Sequence, residues 1–274
     1  YYGKELSILC PKNGGYFFLV NDIVYSDYMV LPGSYSTVFS TITLNFDEME
    51  KRKITVYCSK WCGVYINRAT DYLEKCTESL SKPVICFDGD SITEASAKIG
   101  NKEVLYGYPA IVSQLLGGKM YNCGVGGSGY VKTGNLNQDN MVNRYDSYIG
   151  VVDPDYLITA GGLNDGMVDG IEEAIDTYWS NVKKTLTSGR AIVCSAYNPA
   201  SSVPENLEKQ GEILRKMALK YEFPYIDMLH GKVYDAFGNL LSANINGGVV
   251  TEDNRRFLYD DYYAGTSSDN THPS

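Results

Sequence analysis

Between residue 81 and about residue 228, apolar residues fall into two alternating patterns. Short unbroken runs occupy 83–87, 119–125, 155–159, 191–196 and 223–228, and each predicts a buried strand. Between them, apolar residues recur every three or four positions. Tyr108, Ile111, Val112, Leu115 and Leu116 share one helical face that ends at Gly117-Gly118. Ile171, Ala174, Ile175, Tyr178, Val182 and Leu186 form a second such face. Pro204 opens a third helix carrying Leu207, Leu214, Met217 and Tyr221. Five buried strands alternating with helices predict an α/β domain: a five-stranded parallel sheet covered on both faces.

Residues 1–80 follow a different pattern. Val, Ile, Thr, Tyr and Phe cluster at 16–20, 36–46, 53–58 and 63–68, separated by Gly, Asn, Asp and Lys turns. Only 71–78 offers a possible helical turn or connector. This predicts a small β-sandwich, jelly-roll-like, over 1–80, followed by the α/β domain over 81–274. From 229 to 268 the pattern dissolves into Gly, Asn, Asp and Tyr, a long loop expected to lie beside a functional site.

Composition narrows the function classes. The 274 residues carry a net charge of -9, which argues against nucleic acid as a partner, because phosphates would be repelled. No apolar run approaches the roughly 18 residues of a membrane span. The start at Tyr1-Tyr2, without Met or a signal-peptide pattern, is expected of a processed or excised piece. Of seven cysteines, Cys86, Cys123 and Cys194 fall in predicted buried strands and are expected to be core thiols. Cys10, Cys58, Cys62 and Cys76 allow one or two bridges in an extracellular protein. The Cys58–Cys62 pair lacks the His or second Cys pair that a zinc site needs.

The candidate chemistry lies where predicted strands end. The first buried run continues into Asp88-Gly89-Asp90-Ser91, a sharp turn that exposes Ser91 at the strand's carboxyl end. The second opens into the glycine-rich loop 122–129, a source of backbone N–H donors. The third ends in Gly161-Gly162-Leu163-Asn164-Asp165, which can aim the Asn164 amide into the same crevice. Near the end of the chain, Asp269-Asn270-Thr271-His272 supplies an acid and an imidazole three residues apart. The other histidine, His230, follows the fifth strand; it is assigned a structural part, with no acid taken to stand at that spacing. Two rivals are weaker. A Mg²⁺-dependent aspartate phosphatase opening at Asp88 wants Thr or Val where Ile92 stands. A dinucleotide loop over 124–129 lacks an apolar helix after it.

These four blocks together resemble the SGNH (GDSL-type) hydrolases: Gly89-Asp90-Ser91, Gly127, Gly162-Leu163-Asn164-Asp165 and Asp269-Asn270-Thr271-His272 match in order across 83–274. The resemblance implies a flavodoxin-like, three-layer α/β/α sandwich. It further implies Ser91 as nucleophile, His272 as general base and acid, and Asp269 as the residue orienting the imidazole. The oxyanion hole would comprise the N–H groups of Ser91 and Gly127 and the Asn164 amide. No metal or organic cofactor is required. With the β-rich domain ahead of it, the chain looks like a two-domain carbohydrate esterase acting on O-acetyl groups. The substrate partner is then an acylated carbohydrate, and the expected location is extracellular, cell-surface or virion-associated. The rival from another class is a glycan- or surface-binding protein using this fold without turnover. Two departures stand out. Family members usually continue past the His block into a helix, so the stop at Ser274 is expected of a cut chain or a tail. Glu94 follows Thr93 where many relatives carry a small residue, which is expected to narrow the pocket.

Overall fold

The computed structural model describes residues 1–11, 15–25, 29–30, 39–58, 63–66, 68–74, 82–94, 107–186, 190–197 and 202–243. These fall into two compact units, one on each side of the boundary between Ser81 and Lys82.

The first unit is built of antiparallel strands: β1 (Tyr2–Pro11), β2 (Gly15–Val20), β3 (Ile23–Val24), β4 (Met29–Val30), β5 (Phe39–Lys51), β6 (Ile54–Cys58) and β7 (Gly63–Ile66). In one sheet β1 lies between β5 and β7, with Ile8 opposite both Ile42 and Val64. In the other, β2 pairs with β3, β4 and β6, with Phe18 opposite Val56. One core of Ile8, Cys10, Tyr16, Phe18, Ile42 and Leu44 unites the two sheets. The strand β1 escaped the sequence reading, although Leu6, Ile8 and Cys10 alternate with period two and are all buried. The helical turn expected from residue 71 does not form over its described part: Tyr72 bridges Tyr2 in an extended pairing.

The second unit begins with β8 (Val84–Gly89), α1 (Ser91–Glu94), α2 (Tyr108–Leu115) and β9 (Lys119–Asn122). It continues with α3 (Met141–Tyr145), β10 (Tyr156–Ala160), α4 (Ile171–Thr185), β11 (Ala191–Cys194) and α5 (Glu205–Tyr221), and closes with β12 (Tyr225–Asp227), β13 (Lys232–Tyr234) and β14 (Leu240–Ser242). The sheet has seven strands in the order β14-β13-β12-β11-β10-β8-β9, so the expected count of five needs correction. Strands β8 to β12 are the five parallel ones; β13 and β14 add an antiparallel hairpin from the stretch that had no sequence pattern. That hairpin has only three residues per strand, too few for an alternation to register. The parallel strands run in the order second, first, third, fourth, fifth, which is the flavodoxin-like order.

Apolar side chains of α4 (Ile175, Tyr178, Trp179, Val182) and α5 (Leu214, Met217) pack on Leu157, Ala191, Val193 and Tyr225 of the sheet. The helix α2 turns the other way from its expected face. Pro109, Ala110 and Ser113 are buried, while Ile111 is 47%, Leu115 81% and Leu116 60% exposed. Small residues let this short helix approach its neighbours closely; of the expected face, Tyr108 packs inward against Phe87, while Ile111, Leu115 and Leu116 point outward. No helix among the described residues is long and apolar enough to cross a membrane.

Candidate active site

All five parallel strands end at one edge. Gly89 stands opposite Ala160, which stands opposite Cys194, and Phe87 is level with Asn122. Strand order reverses at β8, with β9 on one side and β10 on the other, and open α/β sheets bind ligands at such switch points. Three of the predicted site residues follow these strands: Ser91 after β8, Gly127 after β9 and Asn164 after β10.

Beneath Ser91 lies a buried ion pair. Asp88 and Arg144 are both fully buried. The arginine gives Nε and Nη2 to Asp88 Oδ1 (3.1 and 2.7 Å) and a second Nη2 proton to the Gly89 carbonyl (2.8 Å). Its Nη1 donates to Ser128 Oγ (2.8 Å) and the Asp139 carbonyl (3.0 Å), so all five guanidinium N–H groups are used. Tyr178 OH donates to Asp88 Oδ2 at 2.8 Å, and the Gly89 N–H to Oδ1 at 2.9 Å. Burial pushes the Asp88 carboxyl up from its ordinary range against the pull of Arg144 and these donors. The network fixes Gly89, whose carbonyl also takes the Val125 N–H at 3.0 Å. No side chain fits at Gly89, because a Cβ there would meet the Ala160 carbonyl and Thr93 Oγ1.

Asp90 caps the turn that carries Ser91. Its Oδ1 accepts the Ile92 N–H at 3.0 Å and its carbonyl the Glu94 N–H at 2.9 Å, which puts Ser91 at the first helical position. Thr93 locks the turn to the sheet through Tyr108 OH (2.9 Å) and the Ala160 carbonyl (3.2 Å). The Asn122 amide donates to the Thr93 carbonyl (2.7 Å), joining α1 to the loop after β9.

In that loop, the Gly126 carbonyl accepts the Asn135 N–H at 2.8 Å. The 126–127 peptide is planar and trans, so the Gly127 N–H points directly away from that bond. It has no hydrogen-bond partner among the described residues. Gly127 itself adopts φ +76°, the left-handed region that favours glycine, with Asn135 Oδ1 placed 2.8 Å from a would-be Cβ. The Asn164 amide donates one proton to the Ser128 carbonyl at 3.0 Å. This bond orients the side chain, and the second amide proton has no partner among the described residues. Asp165 collects the N–H groups of Tyr130 (2.6 Å), Val131 (3.1 Å) and Lys132 (2.8 Å), tying the loop after β10 to the one after β9.

The structure thus brings Ser91, Gly127 and Asn164 to one sheet edge. Asp269 and His272 lie outside the described residues. The reading of His230 needs correction, since Asp227 stands three residues before it, the same spacing as Asp269 to His272. Asp227 Oδ2 meets His230 Nδ1 at 2.9 Å, and Glu208 Oε2 meets Nε2 at 3.2 Å. Both ring nitrogens are engaged, in the wall of a cavity of about 190 Å³ shared with Arg215, Lys232 and Tyr234. The strand before His230, β12, stands three places from β8, about 14 Å away at the usual strand spacing. Sequence reasoning missed Arg144 altogether; it placed Glu94 at the pocket and Asp165 in the third block, but not their bonds to the loop after β9.

No protein-family model matches the sequence, and no curated protein matches it. Among solved structures, a family two carbohydrate esterase from Clostridium thermocellum, in complex with cellohexaose, is 15% identical. The match covers 85% of this chain and 82% of that one, with a TM-score of 0.55. A family two carbohydrate esterase from Cellvibrio japonicus is 15% identical over 83% of this chain and 77% of that one, with a TM-score of 0.54. An acetylxylan esterase from Geobacillus stearothermophilus, in a mutant form, is 17% identical over 53% of this chain and 76% of that one, with a TM-score of 0.44. The chain therefore has the fold of the family two carbohydrate esterases, in keeping with its sequence resemblance to the SGNH hydrolases.

Proposed function

We propose that this chain is a serine esterase that removes O-acetyl groups from a carbohydrate. Ser91 Oγ attacks the ester carbonyl. His272 takes its proton and returns it to the leaving sugar hydroxyl, and Asp269 holds the imidazole in the right tautomer. The Ser91 and Gly127 N–H groups and the second Asn164 amide proton receive the oxyanion. Water then attacks the acetyl-enzyme with His272 again as base, which releases acetate and restores Ser91.

One observation carries the reading. A serine on a capped turn, a glycine N–H without a partner among the described residues and an oriented asparagine amide follow the carboxyl ends of three adjacent strands at the switch point of a single sheet. His230 is spent between two carboxylates and distant from β8, which supports His272 as the base. The esterase fold of the neighbours and the β-rich first unit support a carbohydrate ester as substrate.

The test is hydrolysis of p-nitrophenyl acetate and release of acetate from a panel of acetylated glycans, with and without Ser91→Ala. The variant is expected to fall to the background rate, and a fluorophosphonate to label Ser91. Equal rates for the two proteins, or a label on another residue, would overturn the assignment.

A further inference from the structure

Glu94 has no part in the mechanism above, yet it sits between the two halves of the site. It closes α1, three residues after Ser91, and its Oε2 accepts the Gly126 N–H at 2.8 Å. The Gly126 carbonyl is held from the other side by the Asn135 N–H. Two consecutive peptide units are therefore gripped, 125–126 by its N–H and 126–127 by its C=O. The second of these carries the Gly127 N–H, so its direction depends on both grips. The contact is close on every side. A Cβ on Gly126 would lie 2.5 Å from Glu94 Oε2, and one on Gly124 would strike the Glu94 backbone nitrogen. A single helical turn thus presents the serine at its start and a brace for the glycine loop at its end.

We propose that Glu94 is a positioning residue for ester hydrolysis, an inference that rests on the esterase reading of the same site. Its carboxylate keeps the Gly126-Gly127 loop in register with Ser91, so that the Gly127 N–H meets the oxygen on which charge develops. What this task needs is the acceptor oxygen. A negative charge so near a developing oxyanion opposes catalysis. Glutamine, which keeps the acceptor and drops the charge, therefore separates the two properties. The brace acts on a donor that matters most in the transition state, so its loss falls on kcat more than on KM.

The experiment compares wild type, E94Q, E94A and Ser91→Ala by kcat and KM on p-nitrophenyl acetate, and by NMR hydrogen exchange of the Gly126 amide. E94A is expected to lose roughly tenfold or more in kcat with KM changed less than about twofold, and to exchange the Gly126 proton faster. E94Q is expected to keep at least about half of the wild-type kcat and slow exchange. E94D, which withdraws the carboxylate by one methylene while keeping its charge, should behave like E94A and replaces it if E94A does not fold. A kcat for E94A or E94D equal to wild type, or an E94Q as slow as E94A, would overturn the proposal. The two readings fail separately. If wild type shows no Ser91-dependent hydrolysis, the esterase reading falls and takes this role with it. If Ser91→Ala is dead while every Glu94 variant is normal, only the role of Glu94 falls.

Discussion

Arg144 shows how much of this site is decided by single buried groups. Removing one partner of a buried ion pair leaves an uncompensated charge, so Arg144→Leu is expected to lower stability by about 3–5 kcal/mol in urea unfolding at neutral pH. The pair with Asp88→Asn should cost less than the sum of the single changes. Without Arg144, Asp88 must hold its proton to stay buried, which raises its folded pKa further above the unfolded one. Stability of the variant is then retained at low pH and lost as pH rises, so its deficit should be smaller at pH 5 than at pH 8. A deficit independent of pH would mean that Asp88 is not the group left exposed to the cost. At the proposed oxyanion donors, Asn164→Ala should lower kcat by about 10²–10³. The placement of Ser91, Gly127 and Asn164 after strand ends was legible in the sequence because each lies in a short block beside an apolar run. Arg144 was not, because its partner is 56 residues away and nothing local distinguishes it from a surface arginine. The pairing of Asp227 with His230 was written in the spacing and went unseen because Asp227 also ends a strand.

Elements were legible where several residues repeat one signal. The five parallel strands emerge from unbroken apolar runs, and α4 from a long stripe of Ile, Tyr and Val that the structure buries. The helix α2 inverted its expected face because eight residues give too short a stripe to outweigh close packing through Pro109 and Ala110. The sheet's central thiols follow the expected core role. Cys86 on β8 and Cys123 just after β9 are buried with their Sγ atoms 3.5 Å apart, and burial pushes the Cys194 thiol up to about 12 from an ordinary 9.0. With its folded pKa above its unfolded one, Cys194 adds stability that is fully present below about pH 9 and lost as pH rises through about 12. Native protein at pH 8 should therefore leave Cys123 and Cys194 unalkylated by iodoacetamide until denaturant is added. Rapid labelling of either in the folded protein would contradict their burial.

For the whole molecule, the charge of -9 sets which substrates are welcomed. Turnover of a neutral acetylated oligosaccharide is expected to stay flat between about 20 and 300 mM NaCl, while that of an acetylated uronate polymer should rise as salt screens repulsion. A fall with salt on the acidic polymer would reveal a local basic surface that overrides the total. The strand order described above has a further consequence at its two borders. Among the described residues the ladder of the second unit's sheet stops beyond β9 and beyond β14, and these strands have only four and three residues. Margins so brief offer an incoming copy few main-chain groups to zip onto, and Lys119 adds a charge at one of them. Copies should accordingly not pair along this sheet, and the amides of β9 and β14 should exchange at the same rate in dilute and in concentrated solution.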